Sequence, residues 1–293
     1  MKSDCESKRV LSITLVLLAL ALTGFPAAAA TYTQIVVPGS IQTSANGINN
    51  LNQVVGWYQN PDTSIVGFLL SNGTFTSIFF PGQPNNFATG INDSGEIVGY
   101  YQNKNIGTPY AGWTYQNGTF THQIKYPGSK STQPSGINNA GQVVGVYVDL
   151  KNVTHGFKYS SGTYKSIDIA GAKSTTAGGI NSAGDISGSY VDQSNQLHGY
   201  LLHSNGTLVT LNFRNAPNGT TGTGLNDNDQ VVGYFTPPSG NRSIGFEWNA
   251  GTFNSLVDPA GVSTLPFAIN NNQHVVGASL NPAGAAQGFL ETP

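Results

Sequence analysis

A twelve-residue segment recurs six times along the chain, and this repetition constrains the fold more than any other feature. It reads GINNLNQVVGWY from Gly47 and GINNAGQVVGVY from Gly136. All six copies start at Gly47, Gly90, Gly136, Gly179, Gly224 and Ala268. Their spacings are 43, 46, 43, 45 and 44 residues. A near-constant period of this length is typical of architectures in which each repeat forms one supersecondary unit.

Each repeat has the composition of four short β-strands. The first strand ends in Gly-Ile-Asn, and the second is QVVGWY or its equivalent. The third surrounds a Gly-aromatic pair such as Gly67-Phe68, and the fourth starts at Gly-Thr-Phe. Val, Ile, Tyr and Phe are common in these stretches, and turn residues separate them. No helical periodicity follows residue 30, so the sequence predicts an all-β fold.

The turn between the first two strands requires a residue that accepts a positive φ. The position four residues before the Val-Val-Gly glycine holds Asn52, Gly95, Gly141, Gly184, Asp229 and Gln273. The first five tolerate the left-handed region, as a tight turn requires. Gln273 departs from this rule, so the last turn is predicted to be altered or strained.

The two ends of the repeat region complement each other. TYTQIVVPG at 31–39 aligns without a gap with TFTSIFFPG at 74–82, so the region begins with an isolated fourth strand. The sixth repeat, which ends in QGFLETP, lacks a fourth strand. We therefore predict a six-bladed β-propeller of four-stranded blades, in which the N-terminal strand completes the C-terminal blade. An open β-solenoid is the alternative.

The repeat also carries a family resemblance. The pattern GINNAGQVVGVY followed by THGFKYSSGTYKSIDIAGAKSTTAGGIN, within 136–181, resembles the bacterial extracellular HAF repeat family. All six copies carry it, so the resemblance covers nearly all of residues 31–293. It implies export and a repeat-built all-β domain, and it implies no defined reaction and no catalytic residues.

The N-terminal segment predicts export. Lys2, Lys8 and Arg9 precede the apolar run at 11–22, and a small-x-small site ends at Ala30. We interpret residues 1–30 as a secretory signal peptide and 31–293 as one propeller domain, secreted or periplasmic. The lone cysteine, Cys5, precedes the apolar run, so the domain is predicted to contain no disulfide and no thiolate site.

The charge of the predicted domain excludes several partners. Residues 31–293 hold nine basic and twelve acidic residues, without a basic patch. This argues against nucleic acid and against a charged membrane surface as partners. We predict no membrane insertion after signal removal, no metal, no cofactor and a monomer.

Two series that recur in the repeats are candidate ligand-binding residues. The first is the Asn of Gly-Ile-Asn: Asn49, Asn92, Asn138, Asn181, Asn226 and Asn270. The second is an aromatic position that holds Tyr58, Tyr101, Tyr147 and Tyr190, then Phe235, and is broken by Ser279. The amides could bind sugar hydroxyls or could bond to their own turns, and the rings could stack on sugars or pack between sheets.

No catalytic motif is present, and we predict no catalytic residue. The sequence favours a non-enzymatic binding or scaffold module for carbohydrate or a cell-envelope polymer. One alternative is an extracellular glycan hydrolase or lyase with carboxylates in the propeller funnel, for which Asp62, Asp149, Asp192 and Glu247 are the acids of interest. A protein–protein interaction platform is the other alternative.

Overall fold

A computed structural model describes residues 30–102, 111–214, 216–238 and 242–293. Within these ranges the regular structure consists of twenty-four β-strands, and no helix is present. Among the described residues, accordingly, no helix could cross a membrane. The predicted signal peptide lies outside the described residues, apart from Ala30.

The four strand types that the sequence predicts each occur six times among the described residues. The first strands are β2 (Gln42–Ile48), β6 (Asn85–Ile91), β10 (Ser131–Ile137), β14 (Ser174–Ile180), β18 (Thr220–Leu225) and β22 (Ser263–Ile269). The second strands are β3 (Val54–Gln59), β7 (Ile97–Gln102), β11 (Val143–Val148), β15 (Ile186–Val191), β19 (Val231–Phe235) and β23 (Val275–Leu280). The third strands are β4 (Ile65–Ser71), β8 (Ala111–Gln116), β12 (Thr154–Ser160), β16 (Leu197–Leu202), β20 (Ile244–Asn249) and β24 (Ala286–Thr292). The fourth strands are β5 (Thr74–Ile78), β9 (Thr119–Ile124), β13 (Thr163–Ile167), β17 (Leu208–Leu211), β21 (Thr252–Leu256) and β1 (Thr31–Ile35).

The strands of each repeat pair antiparallel in the order first, second, third, fourth. The strand β1 pairs with β24, from Thr31 opposite Thr292 to Ile35 opposite Gly288. A single parallel bridge between Ile65 and Asn85 links the sheets of the first two repeats. Each first strand contacts the first strand of the next repeat, and β22 contacts β2.

The alternating strand directions give the molecule two faces. We call the face with the turns between first and second strands, such as 49–53, the Asn face. The opposite face carries the connections from each fourth strand to the next repeat, such as 79–84, and we call it the crossover face. Residues of the first strands from all six repeats line one cavity, which we call the central channel.

The recurring glycine of the second strand makes room for the largest core side chain. Gly145 lies directly opposite Phe157, and a Cβ at Gly145 would lie 2.2 Å from the Gln133 carbonyl oxygen and 2.9 Å from the Phe157 ring. The aromatic residues at the register of Phe157 are all fully buried: Phe68, Trp113, Phe157, Tyr200, Phe246 and Phe289. Each glycine therefore lets one ring lie across its strand, where it forms the centre of its sheet's core.

The turns on the Asn face follow the prediction, including the exceptional one. All six turn positions have positive φ, from 59° at Asn52 and Asp229 to 83° at Gly184. Gln273 adopts the same conformation, with φ 64°, and its turn keeps the hydrogen bond of its N–H to the Asn270 carbonyl. The last turn is thus unaltered in shape, and the strain of a long side chain in the left-handed region is retained there.

The break in the aromatic series at Ser279 is matched by a second break. In other repeats this position packs against a crossover residue; Tyr147 stacks on Tyr126 with 3.7 Å between ring centroids. The corresponding crossover residue of the last sheet is Asp258, which is fully buried and accepts a hydrogen bond from the Ser279 hydroxyl. A polar pair therefore replaces an aromatic pair at this one interface.

Candidate functional site

The six repeated asparagines are buried, with 3–5% of their surface exposed. Asn138 illustrates their contacts: its Oδ1 accepts hydrogen bonds from the backbone N–H groups of Ala140 at 3.1 Å and Gln142 at 3.0 Å. These bonds close the turn from within, as the turn-forming interpretation of the series requires.

The side-chain amides of the same residues connect neighbouring sheets. Asn138 Nδ2 donates to the Asn181 carbonyl at 2.9 Å. The equivalent bonds run from Asn49 to Asn92, from Asn92 to Asn138, from Asn181 to Asn226, from Asn226 to Asn270 and from Asn270 to Asn49. Both polar ends of these amides are therefore used inside the protein. We call these six residues the Asn belt.

The tyrosine series is also packed within the fold. Tyr101 stacks on Phe80 at 4.8 Å, and Tyr190 stacks on His198 at 4.9 Å. Tyr147 is 8% exposed, and burial raises its pKa to about 12. The Tyr58 hydroxyl lies 3.0 Å from Ser77 Oγ. Each ring packs within its own repeat or against the adjoining crossover. The structure therefore does not bring the four rings together at one end of the channel.

Four members of the Asn belt line the channel at the Asn face: Asn92, Asn138, Asn181 and Asn226. A ring formed by the residues that follow the Asn belt in sequence also lines it: Asn50, Asp93, Asn139, Ser182, Asp227 and Asn271. Asp93 accepts hydrogen bonds from Asn50 N–H at 2.8 Å and from Asn139 Nδ2 at 2.7 Å. Asp227 accepts from Ser182 N–H and from Asn271 Nδ2, both at 2.7 Å. The sequence prediction missed this ring because its residue type varies from repeat to repeat.

The carboxylate of Asp93 is held in the ionised form. Burial alone would raise the pKa of Asp93, but the hydrogen bonds from Asn50 and Asn139 outweigh it and lower the pKa. A carboxylate in this state accepts protons poorly and has none to donate.

The channel itself is narrow. Its volume at the Asn face is about 100 Å³, well below the roughly 300 Å³ at which small-molecule sites begin.

The channel widens at the crossover face, where about 270 Å³ is open to water-sized molecules. We call this space the crossover pocket. A β-bulge in every first strand turns one residue toward the axis, because the register shifts there, as between Ala45 and Gly47. The bulged residues are Asn46, Thr89, Ser135, Gly178, Thr223 and Phe267, and all of them line the pocket.

The walls of the crossover pocket combine aromatic and neutral polar surfaces. Tyr100 and Phe267 supply aromatic rings, and Gln133, Thr176 and Thr221 supply amide and hydroxyl groups. None of the described residues that line it is charged. Asn46 Oδ1 is buried and has no hydrogen-bond partner among the described residues. An acceptor in that state costs stability unless a ligand or water donates to it.

The acids that the sequence suggested for catalysis lie apart from this pocket and from one another. Hydrogen bonds from Val153 N–H and Lys151 N–H, with one from His155, hold the pKa of Asp149 below its usual range. The pKa of Asp192 is also held below its usual range, chiefly by a hydrogen bond from Gln196 N–H. Glu247 accepts a hydrogen bond from Gln230 Nε2 at 2.6 Å. These acids belong to different sheets and do not form a pair.

Comparison with known proteins identifies the fold. No protein-family model and no curated protein matches the sequence. Among solved structures, AofleA from Arthrobotrys oligospora matches with a TM-score of 0.56 and 12% identity, over 89% of this chain and 86% of its own. The Aleuria aurantia lectin, in complex with Fucα1-6GlcNAc, matches with a TM-score of 0.54 and 12% identity, over 85% and 91%.

An enzyme shares the same architecture. Virginiamycin B lyase from Staphylococcus aureus, in a catalytically inactive form with quinupristin, matches with a TM-score of 0.50 and 11% identity, over 90% of this chain and all of its own. These neighbours are β-propellers, and at such identities the likeness concerns the fold alone. The chain thus has a β-propeller-type, all-β fold built from four-stranded sheets.

Proposed function

We propose that residues 31–293 form an exported six-bladed propeller, closed by its N-terminal strand, that binds a neutral carbohydrate in the crossover pocket. The pairing of β1 with β24 and the contact of β22 with β2 support the closed ring. The Asn belt supports it too, since Asn270 Nδ2 donates to the Asn49 carbonyl at 3.0 Å. Membership of the HAF repeat family and secretion are part of the same proposal and rest on the sequence.

One observation carries the choice of ligand: the pocket is uncharged and combines aromatic rings with neutral amide and hydroxyl groups. A sugar ring has an apolar face that stacks on aromatic side chains and hydroxyls that hydrogen-bond to side-chain amides such as that of Asn46. The volume of about 270 Å³ is near the lower end, about 300 Å³, of small-molecule sites, which suits one sugar ring rather than a long chain. The sugar complex of the Aleuria aurantia lectin is a further reason to test carbohydrates first.

The test is a glycan-array screen of the purified protein, followed by calorimetry with the glycans that bind. The repeats supply variants that should fold, because Ser135 and Thr223 occupy the bulge register naturally. We expect Asn46→Ser to weaken binding about two- to tenfold, the range of one hydrogen bond. Phe267→Thr should weaken it further by removing an aromatic wall.

The matched control variant changes a residue at the opposite end of the channel, on the Asn face. Asn50→Ser places there the residue that Ser182 already provides in the fourth repeat, and it should leave the affinity unchanged. A silent array would contradict the proposal, as would a loss of binding with Asn50→Ser but not with Asn46→Ser.

A hydrolase or lyase remains the second candidate, because two carboxylates, Asp93 and Asp227, line the Asn-face mouth. Their existing hydrogen bonds argue against a proton-transfer role. The test incubates the bound glycan with the protein and follows reducing ends for hydrolysis and unsaturated products for elimination. Product formation that Asp93→Asn or Asp227→Asn abolishes would replace the binding proposal with the enzymatic one.

A further inference from the structure

A group of metal-ligating side chains lies on the Asn face, away from the channel, where the fourth and fifth sheets meet. Asp185 precedes β15, His203 follows β16, and Asp229 occupies the turn before β19. One potential ligand atom from each lies within 4.8 Å of the others. We propose that Asp185, His203 and Asp229 bind a Zn²⁺ ion that links these two sheets.

The distance between two of the three candidate ligands matches that in a tetrahedral site. His203 Nδ1 lies 3.2 Å from Asp185 Oδ2. Two ligand atoms of a tetrahedral Zn²⁺ lie about 3.3 Å apart when the bonds are about 2.0 Å long. Carboxylate oxygens with one imidazole nitrogen form a donor set that zinc accepts, and three protein ligands leave one position for water or another ligand.

The three side chains are also positioned as ligands require. Asp185 is 6% exposed, and its other oxygen, Oδ1, accepts from Ser204 N–H at 2.6 Å, which orients the carboxylate. Asp229 Oδ1 accepts from Asn181 Nδ2 at 3.3 Å. The carboxylates of Asp185 and Asp229 repel each other when both are ionised, and a cation between them would remove that repulsion.

In the sequence, Asp229 and His203 depart from the residues that other repeats hold at the same registers. The register of Asp229 holds glycine in three repeats, at Gly95, Gly141 and Gly184. The register of His203 holds Ser71 and Ser160 in others. The blade structure thus needs neither a carboxylate nor an imidazole at these two points. A zinc site explains why Asp229 and His203 both lie beside the buried Asp185, although they belong to two different sheets.

One positive charge faces the group from the third sheet. A Cβ on Gly184 would lie 3.1 Å from Lys158 Nζ, which places this ammonium beside the turn that carries Asp185. The two carboxylates and this ammonium sum to a net charge of about −1, which still favours the binding of a divalent cation.

The test titrates ZnCl₂ into the purified, chelator-treated protein without a histidine tag, by calorimetry and by thermal melting. We expect one ion per chain and a melting temperature that rises with zinc, because an ion bound only by the folded state stabilises it. Asp229→Gly and His203→Ser reproduce residues that other repeats hold at these registers, so both variants should fold. Each should weaken zinc binding at least tenfold, since even outer-shell partners are worth about 10- to 100-fold.

His155→Gln is the matched control. His155 also contacts aspartates, with Nδ1 2.7 Å from Asp168 Oδ1, but it lies on the crossover face. Zinc binding should be unchanged in this variant. The proposal is overturned if the unaltered protein shows neither heat nor a melting shift at about 100 µM zinc, well above the affinities of structural zinc sites. It is also overturned if Asp229→Gly and His203→Ser bind as the unaltered protein does, or if only His155→Gln loses binding.

Discussion

Replacing one residue of the Asn belt should destabilise the protein more than replacing an asparagine that only closes a turn. In Asn138→Ala, two turn bonds disappear, together with the bonds from Asn138 Nδ2 to Gln142 Oε1 at 3.0 Å and to the Asn181 carbonyl at 2.9 Å. The Asn181 carbonyl then keeps only the hydrogen bond from Gly184 N–H.

The matched control is Asn281→Ala. Asn281 Oδ1 accepts from Ala283 N–H and Ala285 N–H, both at 2.9 Å, so its turn resembles that of Asn138 but has no bond to the next sheet. Turn bonds of this kind contribute about 1 kcal/mol, as helix caps do. The two additional bonds lost in Asn138→Ala, to Gln142 Oε1 and to the Asn181 carbonyl, contribute ~0.5–1.5 kcal/mol each.

We therefore expect Asn138→Ala to cost about 2–4 kcal/mol and Asn281→Ala about 1 kcal/mol. At roughly 2–4 °C per kcal/mol for a domain of this size, the melting temperature should fall by about 4–16 °C in the first and about 2–4 °C in the second. Calorimetry or urea unfolding measures both values. Asn138→Asp, which keeps the turn acceptors and loses the donor, should resemble Asn138→Ala. Equal losses in the two alanine variants would refute the reasoning.

Three further predictions concern the sheets. Deleting residues 31–35 should lower the melting temperature by many degrees, because the edge of β24 loses its partner strand; an unchanged melting curve would contradict the ring. Gly145→Ala should destabilise by about 3–5 kcal/mol, since its Cβ would overlap the Gln133 carbonyl and the Phe157 ring; urea unfolding measures this, and a loss below 1 kcal/mol would oppose it. Burial, and then the Glu247 carboxylate, raise the pKa of Glu291 to about 7. The folded state thus holds this proton more tightly than the unfolded chain, so stability should fall as pH rises from about 4.5 to about 7 and then level off. Glu291→Gln should remove that fall and exceed the unaltered protein in stability at about pH 8, which urea midpoints at both ends of the range would show; an unchanged pH profile would count against it.

The sequence was most informative where every repeat faces the same physical requirement. The period, the four strand types and the positive-φ turns were all predictable, because a tight turn and a ring packed across a glycine demand particular residues six times over. Gln273 shows the limit of this reasoning: the surrounding sheet imposes the turn on a residue that does not favour it.

The site was less predictable, because its residues are defined by position rather than by type. Asn46 and Phe267 face the channel owing to a bulge whose location the strand pattern does not reveal. The pairing of Asp258 with Ser279, and the approach of Asp229 to Asp185, join residues from different strands or repeats. In the sequence, such groups are visible only as residues that depart from the repeat. That these residues lie close together can be seen only in the folded structure.

The most direct test of the closed ring is a disulfide between the two ends of the domain. With Cys5 replaced, Thr33→Cys with Leu290→Cys places two thiols at directly opposed positions on β1 and β24. Thr76→Cys with Leu69→Cys is the same register within the first repeat and serves as the positive control. Thr33→Cys with Leu69→Cys is the negative control.

Non-reducing gels after mild oxidation measure the cross-linked fraction. The closed ring predicts that the 33/290 pair cross-links within one chain as completely as the 69/76 pair, while the 33/69 pair does not. Cross-linking of the 69/76 pair without intramolecular cross-linking of the 33/290 pair would contradict it.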